Sequence, residues 1–212
     1  MLAKTHSNFG VAFGLSSVYL MESLEITAAG PLLSAAYVYF VYKGSGIPDI
    51  DHPTATISKR YPILSKVISK LFGHRKFTHS LLFILLFSAI HLLFVYANIL
   101  GLTYLVNRYL GIDVSAVIPS GPLKVSLYLS FGLAVGMLSH VVGDSLTKRG
   151  VQILRPFSKK SYKLPFTFKT GSLVESVLSM LFVIFNVFML MLIIYRYLLG
   201  LTYNGFSIEY LI

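Results

Sequence analysis

GHRKFTHSLLFILLFSAIHLLFVYANILGL, residues 73–102, runs from two imidazoles and two cations straight into an oily stretch. The apolar part, 80–102, matches the roughly 17–25 residues that cross a bilayer core as a helix, so this stretch decides the fold class. Working outward, four further runs have the same character: 7–21, 26–42, 123–143 and 172–200. Residues 7–21 are short for a span, Pro31 predicts a kink in 26–42, and 172–200 is long enough to tilt. The expectation is an all-α, polytopic bundle of about five spans, forming a single domain over residues 1–212.

Composition agrees. Hydrophobic residues make up 55% of the 212 and charged residues only 12%, about half the charged share of a soluble domain. Cysteine is absent, which excludes disulfides, thiol nucleophiles and thiolate metal sites. The basic region before the first run is thin and no A-x-A site precedes Glu22, a pattern that argues against a cleaved secretory leader.

The net charge of +10 is unevenly placed. Fifteen of the eighteen basic residues fall on Lys4 or in the loops 43–79 and 144–171. By the positive-inside rule those segments are cytoplasmic. The opposite side keeps Arg108, Lys124 and Arg196 with Glu22, Glu25, Asp113 and Glu209.

Five of the six histidines and three of the four aspartates lie on the basic side. They are His6 before the first run, Asp49, Asp51 and His52 in "PDIDHP", His74 and His79, then His140 and Asp144 in "HVVGD". Taken singly each has a plain reading: a solvated interfacial imidazole, an Asp-Pro turn, a chance HxxxD. Their conjunction points to a hard or borderline dication, for which imidazole and carboxylate are good ligands. His140 and Asp144 are four apart and share a helix face. His91 lies about 18 Å into its span at the helical rise and reads as a packing residue held by a hydrogen bond.

Gly10 and Gly14 continue the face of His6, and Gly132 and Gly136 continue that of His140. Small residues at this spacing let membrane helices approach. They predict that the first and fourth spans pack together and bring His6 to His140 and Asp144. At the start of the third span Thr78 is placed to cap the helix. Arg75 and Lys76 beside that positive helix end either hold an anion such as phosphate or simply follow the positive-inside rule.

In order along the chain, "IPDIDHP", "GHRKFTHS", "LSHVVGDSLTKRGVQILRPF" and "FKTGSLVES" resemble the YdjM-like family of membrane-bound metal-dependent hydrolases. The likeness runs from His6 to about Glu175. That family is remotely similar to the zinc-dependent phospholipase C and single-strand nuclease group, although those relatives are soluble and their ligand set does not map fully here. The resemblance implies a divalent metal, zinc first, as one to three ions on His6, Asp49, His74, His79, His140 and Asp144. It implies Asp51 as a ligand or as a partner orienting an imidazole, with His52 behind it. It implies Glu175 as a base or an added ligand, and Thr147 and Gly150 as shapers of the turn after Asp144.

The expected activity is metal-assisted hydrolysis of a phosphoester in a lipid or other membrane-associated substrate at the cytoplasmic leaflet. Asp51, Glu175 and Arg75 would serve the chemistry, and Arg75, Lys76, Lys148 and Arg149 would hold the phosphate. Two other classes stay open. A metal transporter needs a polar pathway, and among the spans only His91 lies near mid-depth. A membrane regulator with a structural metal would use its basic loops on anionic lipid. Nucleic acid is disfavoured, because the one basic-aromatic segment, 159–169, reads as an interfacial stretch.

Overall fold

A computed structural model describes residues 1–26, 29–73, 75–113 and 121–204, with backbone alone from 201 onward. Among the described residues seven α-helices follow in chain order: α1 Ala3–Ser23, α2 Pro31–Gly44, α3 Thr56–Arg60, α4 Pro62–Phe72, α5 Leu81–Leu110, α6 Gly121–Ser145 and α7 Leu173–Asn204. Short 3-10 turns stand at Ile47–Asp51 and Phe77–His79. Among the described residues there is no β-sheet, only two isolated bridges that fold the loop after α6 back on itself.

Five long helices build the bundle, and three of them (α5, α6 and Leu173–Gly200 of α7) have the length and hydropathy to cross a membrane unaided. The other two differ from them for plain reasons. The fourteen residues of α2 reach about 21 Å, short of the roughly 30 Å hydrocarbon core. The twenty-one residues of α1 are long enough but include Lys4, His6, Asn8 and Glu22. Pro31 does not kink α2; it opens it, at the position where a missing N–H costs nothing.

The central helix is α6. In its most apolar window 61% of residues are buried within the protein, against 6% for α5 and 17% for α7. Side chains of α1, α2, α6 and α7 share one core, with Val18, Tyr37, Val41, Leu129 and Met189 among them. A second cluster of Ile47, Ile84, Leu133, Met137 and Val141 joins α5 and α6 to the 3-10 turn after α2.

The glycine stripes serve α2 before they serve each other. A Cβ on Gly136 would stand 2.1 Å from the Val41 carbonyl oxygen, and one on Gly132 would meet the Tyr37 ring at 2.9 Å. On α1, Gly10 faces Ser45 at 2.6 Å and Gly14 faces Val41 at 3.2 Å. So α2 is wedged between the two stripes, and of the expected direct α1–α6 packing through these glycines there remains Gly10, whose Cβ would lie 3.4 Å from Ser139 Oγ of α6. The two helices also meet at Gly143, where a Cβ would lie 2.1 Å from Met1 Cε and 3.3 Å from His6 Nδ1, and His6 does reach His140 and Asp144.

Ser80, not Thr78, caps α5, its hydroxyl accepting from the Phe83 N–H at 3.1 Å. Gly111 closes the same helix in the left-handed conformation, which a Cβ would strain. His91 pairs with the Ser130 hydroxyl at 2.9 Å and sits edge-on to Phe40.

Candidate metal centre

Four segments deliver the polar residues to one end of the bundle. The first turn of α1 buries His6. After α2 the chain makes a tight turn whose Ile47 and Ile50 are buried, and this presents Asp49 and Asp51. The turn Phe77–His79 before α5 supplies Thr78 and His79, both buried. The last turn of α6 supplies His140 and Asp144 from one face.

The ligating atoms converge. His79 Nε2 and His140 Nε2 are 3.2 Å apart. Asp49 Oδ1 lies 3.7 Å from the first and 3.6 Å from the second, and Asp144 Oδ2 lies 3.6 Å and 3.9 Å from them. A tetrahedron of ligands about 2.0–2.2 Å from a zinc ion has edges of about 3.4 Å. Both imidazole nitrogens therefore stand at 3.2–3.9 Å from each other and from one oxygen of each carboxylate, the spacing that ligands of a shared zinc ion keep.

The proton arrangement on the two rings favours the same reading. His140 Nδ1 donates to the Ser45 carbonyl at 2.7 Å, which leaves a lone pair on its Nε2. Thr78 Oγ1 donates to Asp51 Oδ2 at 2.5 Å and so accepts from His79 Nδ1 at 3.0 Å. The Nε2 of His79 is then a lone pair as well. Two lone pairs facing each other in a buried site repel unless a cation or a proton lies between them. Asp144 Oδ2 lies between the two rings and the Arg75 Nε, which is 2.9 Å away. The donor set and its geometry both fit a dication.

A second group overlaps the first. His6, His140 and Asp144 bring ligand atoms within 4.8 Å of one another. His6 stacks on His140 with ring centres 3.8 Å apart. Its Nε2 donates to Asp144 Oδ1 at 3.1 Å, and its buried Nδ1 lacks a hydrogen-bond partner among the described residues.

Among the described ligand candidates Asp49 is the one with appreciable exposure, at 21%, so solvent reaches the cluster over its carboxylate. Burial alone would raise its pKa; protonated, His140 and His79 override that by their charge and N–H groups and hold the carboxyl well below the usual range. Burial lowers the pKa of His79 against the pull of Asp49, which keeps the ring neutral and available as a ligand.

The remaining expected residues fall into distinct settings. Asp51 is fully buried and braces the site: beyond Thr78, it accepts from the Arg75 backbone N–H at 2.9 Å. Arg75 holds a left-handed φ of 56°, uncommon for a residue with a Cβ, and grips Asp144 with two guanidinium nitrogens at 2.9 Å. A third reaches Thr147 Oγ1 at 3.3 Å. Thr147 donates to the Asp144 carbonyl at 2.8 Å, and Gly150 takes φ 69° in the same turn.

Glu175 is in neither ligand group. It is buried, with one oxygen accepting from Leu2 N–H and the other from Gly171 N–H. That carboxylate ties the entry of α1 to the start of α7, a setting unlike the base or ligand expected. Lys76, Lys148 and Arg149 are exposed, and His52 pairs with Thr54. His74 lies outside the described residues. Sequence reading missed Ser45, whose carbonyl orients His140, and the Met1 nitrogen 2.6 Å from Asp144 Oδ1. A main-chain partner carries no residue-type signal.

A helical membrane protein with a buried His–Asp cluster at one end of its bundle is the class these features define. The chain belongs to the YdjM inner membrane protein family, whose model matches residues 1–207. It is 34% identical over 177 residues to the uncharacterized protein YvsG of Bacillus subtilis, covering 82% of this chain and 85% of that one. It is 31% identical over 144 residues to the inner membrane protein YdjM of Escherichia coli, covering 68% of this chain and 61% of that relative. No solved structure matches.

Proposed function

We propose that this chain is a membrane-embedded, metal-dependent hydrolase that cleaves a phosphoester of a lipid or membrane-associated substrate at the cytoplasmic leaflet. The observation that carries the reading is the convergence of His79 Nε2 and His140 Nε2, 3.2 Å apart, with one carboxylate oxygen each of Asp49 and Asp144 within 3.9 Å of both. The concentration of Lys and Arg in the loops that carry these residues supports the cytoplasmic assignment.

Zinc, or another borderline dication, would be held by those four side chains, with His6 beside them for a second ion. When bound it supplies Lewis acidity toward water and toward a phosphoryl oxygen. The chain's own residues do the rest. Ser45 and the Asp51–Thr78 pair fix the two imidazoles in their ligating tautomer. The half-buried Asp49 carboxylate marks the side from which water and substrate enter. Arg75, whose nitrogens hold Asp144 and Thr147, would meet a phosphate oxygen through the N–H groups those contacts leave. Lys76, Lys148 and Arg149 add positive field at the rim.

The test is elemental analysis of purified protein together with phosphate release from lipid phosphoesters, lost on chelation and in Asp144→Asn. Protein carrying its full metal but turning over no phosphoester overturns the enzyme reading. One observation favours a structural metal instead: four protein ligands make a closed site, whereas catalytic zinc keeps a position open. Asp49→Ala separates the two. A structural centre loses stability with that ligand, while a catalytic one keeps its fold and loses turnover.

A further inference from the structure

Helix α4, PILSKVISKLF, turns its large side chains the wrong way for a water-facing helix. At 100° per residue, Ile63, Leu64, Val67 and Leu71 fall within about 100° of the helix circumference. All four are exposed, Ile63 at 82% and Leu71 at 69%, while the small polar Ser65 on the other side is buried at 2%. A soluble protein orients such a helix with the aliphatic stripe inward. Here the protein takes the serine and leaves the stripe outside.

The surroundings say what covers it. Lys66 and Lys70 run along one margin of the stripe, and from Pro53 to Gly73 the chain holds four basic residues and no acidic one. An aliphatic stripe bordered by lysines is the pattern of a helix lying in a membrane interface, with ammonium groups at the lipid phosphates. Position agrees, because the membrane-crossing helix α5 starts at Leu81, nine residues after α4 ends. Across the same end of the bundle, Phe157 and Phe166 are each 86% exposed beside Lys159, Lys160 and Lys163.

We propose that α4 is an in-plane helix seated in the anionic leaflet of the membrane that the bundle crosses. Ile63, Leu64, Val67 and Leu71 enter the acyl region, and Lys66 and Lys70 meet lipid phosphates. The seat has a mechanical consequence for the cluster. Upstream of α4, Ser58 of α3 donates to the Ile50 carbonyl at 3.1 Å, between Asp49 and Asp51. Downstream, Phe72 stacks on Phe77 with ring centres 4.7 Å apart, two residues from His79. Lipid contact at α4 thereby steadies the two short turns that carry Asp49, Asp51 and His79. None of this depends on the metal or on hydrolysis.

The chain contains no tryptophan, so Ile63→Trp in the full-length protein reports on this position alone, with Leu71→Trp as a second reporter. Each variant is reconstituted in nanodiscs of phosphatidylglycerol and phosphatidylcholine, with plain or brominated acyl chains. Both reporters are expected to emit to the blue of a water-exposed indole and to lose emission in brominated discs. Quenching by aqueous acrylamide instead places the stripe in water and overturns the proposal. Insensitivity to both quenchers means that protein covers the stripe, a second copy included, and overturns it equally. Adding Lys66→Glu and Lys70→Glu to Ile63→Trp is expected to shift emission toward the red in anionic discs. No shift overturns the role given to the lipid phosphates.

Discussion

His79 and His140, sixty-one residues apart in the chain, hold their Nε2 atoms 3.2 Å from each other. Each ring keeps that nitrogen unprotonated by giving the proton on Nδ1 to a different partner: Thr78 for His79, the Ser45 carbonyl for His140. The facing lone pairs and the two flanking carboxylates make the strongest single statement the fold offers about function.

Thr78→Val tests the bracing directly. It leaves all four ligand atoms in place but removes the hydroxyl between Asp51 and His79. Loss of such an outer partner weakens metal binding by about 10–100-fold. Zinc competition against a chromogenic chelator measures it; unchanged affinity means the His79 tautomer is set by some other contact.

Gly136→Ala is expected to destabilise the protein. The new methyl meets the Val41 carbonyl and the Ser45 nitrogen, at 2.1 and 2.9 Å from an ideal Cβ. Overpacking of this kind costs about 1–3 kcal/mol. Because Ser45 also orients His140, metal content should fall together with the thermal midpoint in detergent. A variant with wild-type midpoint and metal would show that α2 yields freely.

Glu175→Gln separates anchoring from catalysis. Exchanging one carboxylate oxygen for an amide nitrogen leaves either Leu2 N–H or Gly171 N–H without its acceptor, a loss of roughly 1–3 kcal/mol when buried. A lowered midpoint with metal content retained is the expected pair of results. Abolished turnover at an unchanged midpoint would restore Glu175 as a catalytic base.

Acidification should release metal late. Metal binds the neutral imidazole, so a lowered pKa means that protons compete only at lower pH. Burial lowers His79 from its ordinary value of 6.5. Equilibrium dialysis should find zinc still bound at about pH 6, where a free imidazole is mostly protonated. Half-release near 6.5 or above would mean that a ring other than His79 governs binding.

The transmembrane character, the helical class and the gathering of His and Asp beside basic loops were legible along the chain. Each is a local property: a bilayer demands long apolar runs with their backbone satisfied inside the segment, and charge in short loops reports sidedness without reference to any partner. The tertiary structure decided what each polar residue touches. It moved the cap of α5 from Thr78 to Ser80, freeing Thr78 to brace Asp51. It set Arg75 on Asp144, sent Glu175 to the backbone at the entry of α1, and wedged α2 between two glycine stripes that looked made for each other. The contacts of Thr78, Arg75 and Glu175 join positions from 27 to 173 residues apart. No window of sequence contains both partners, and a carboxylate reads the same in the chain whether it will face a cation, a guanidinium or a peptide N–H. Only packing of the helices settles which of them it meets.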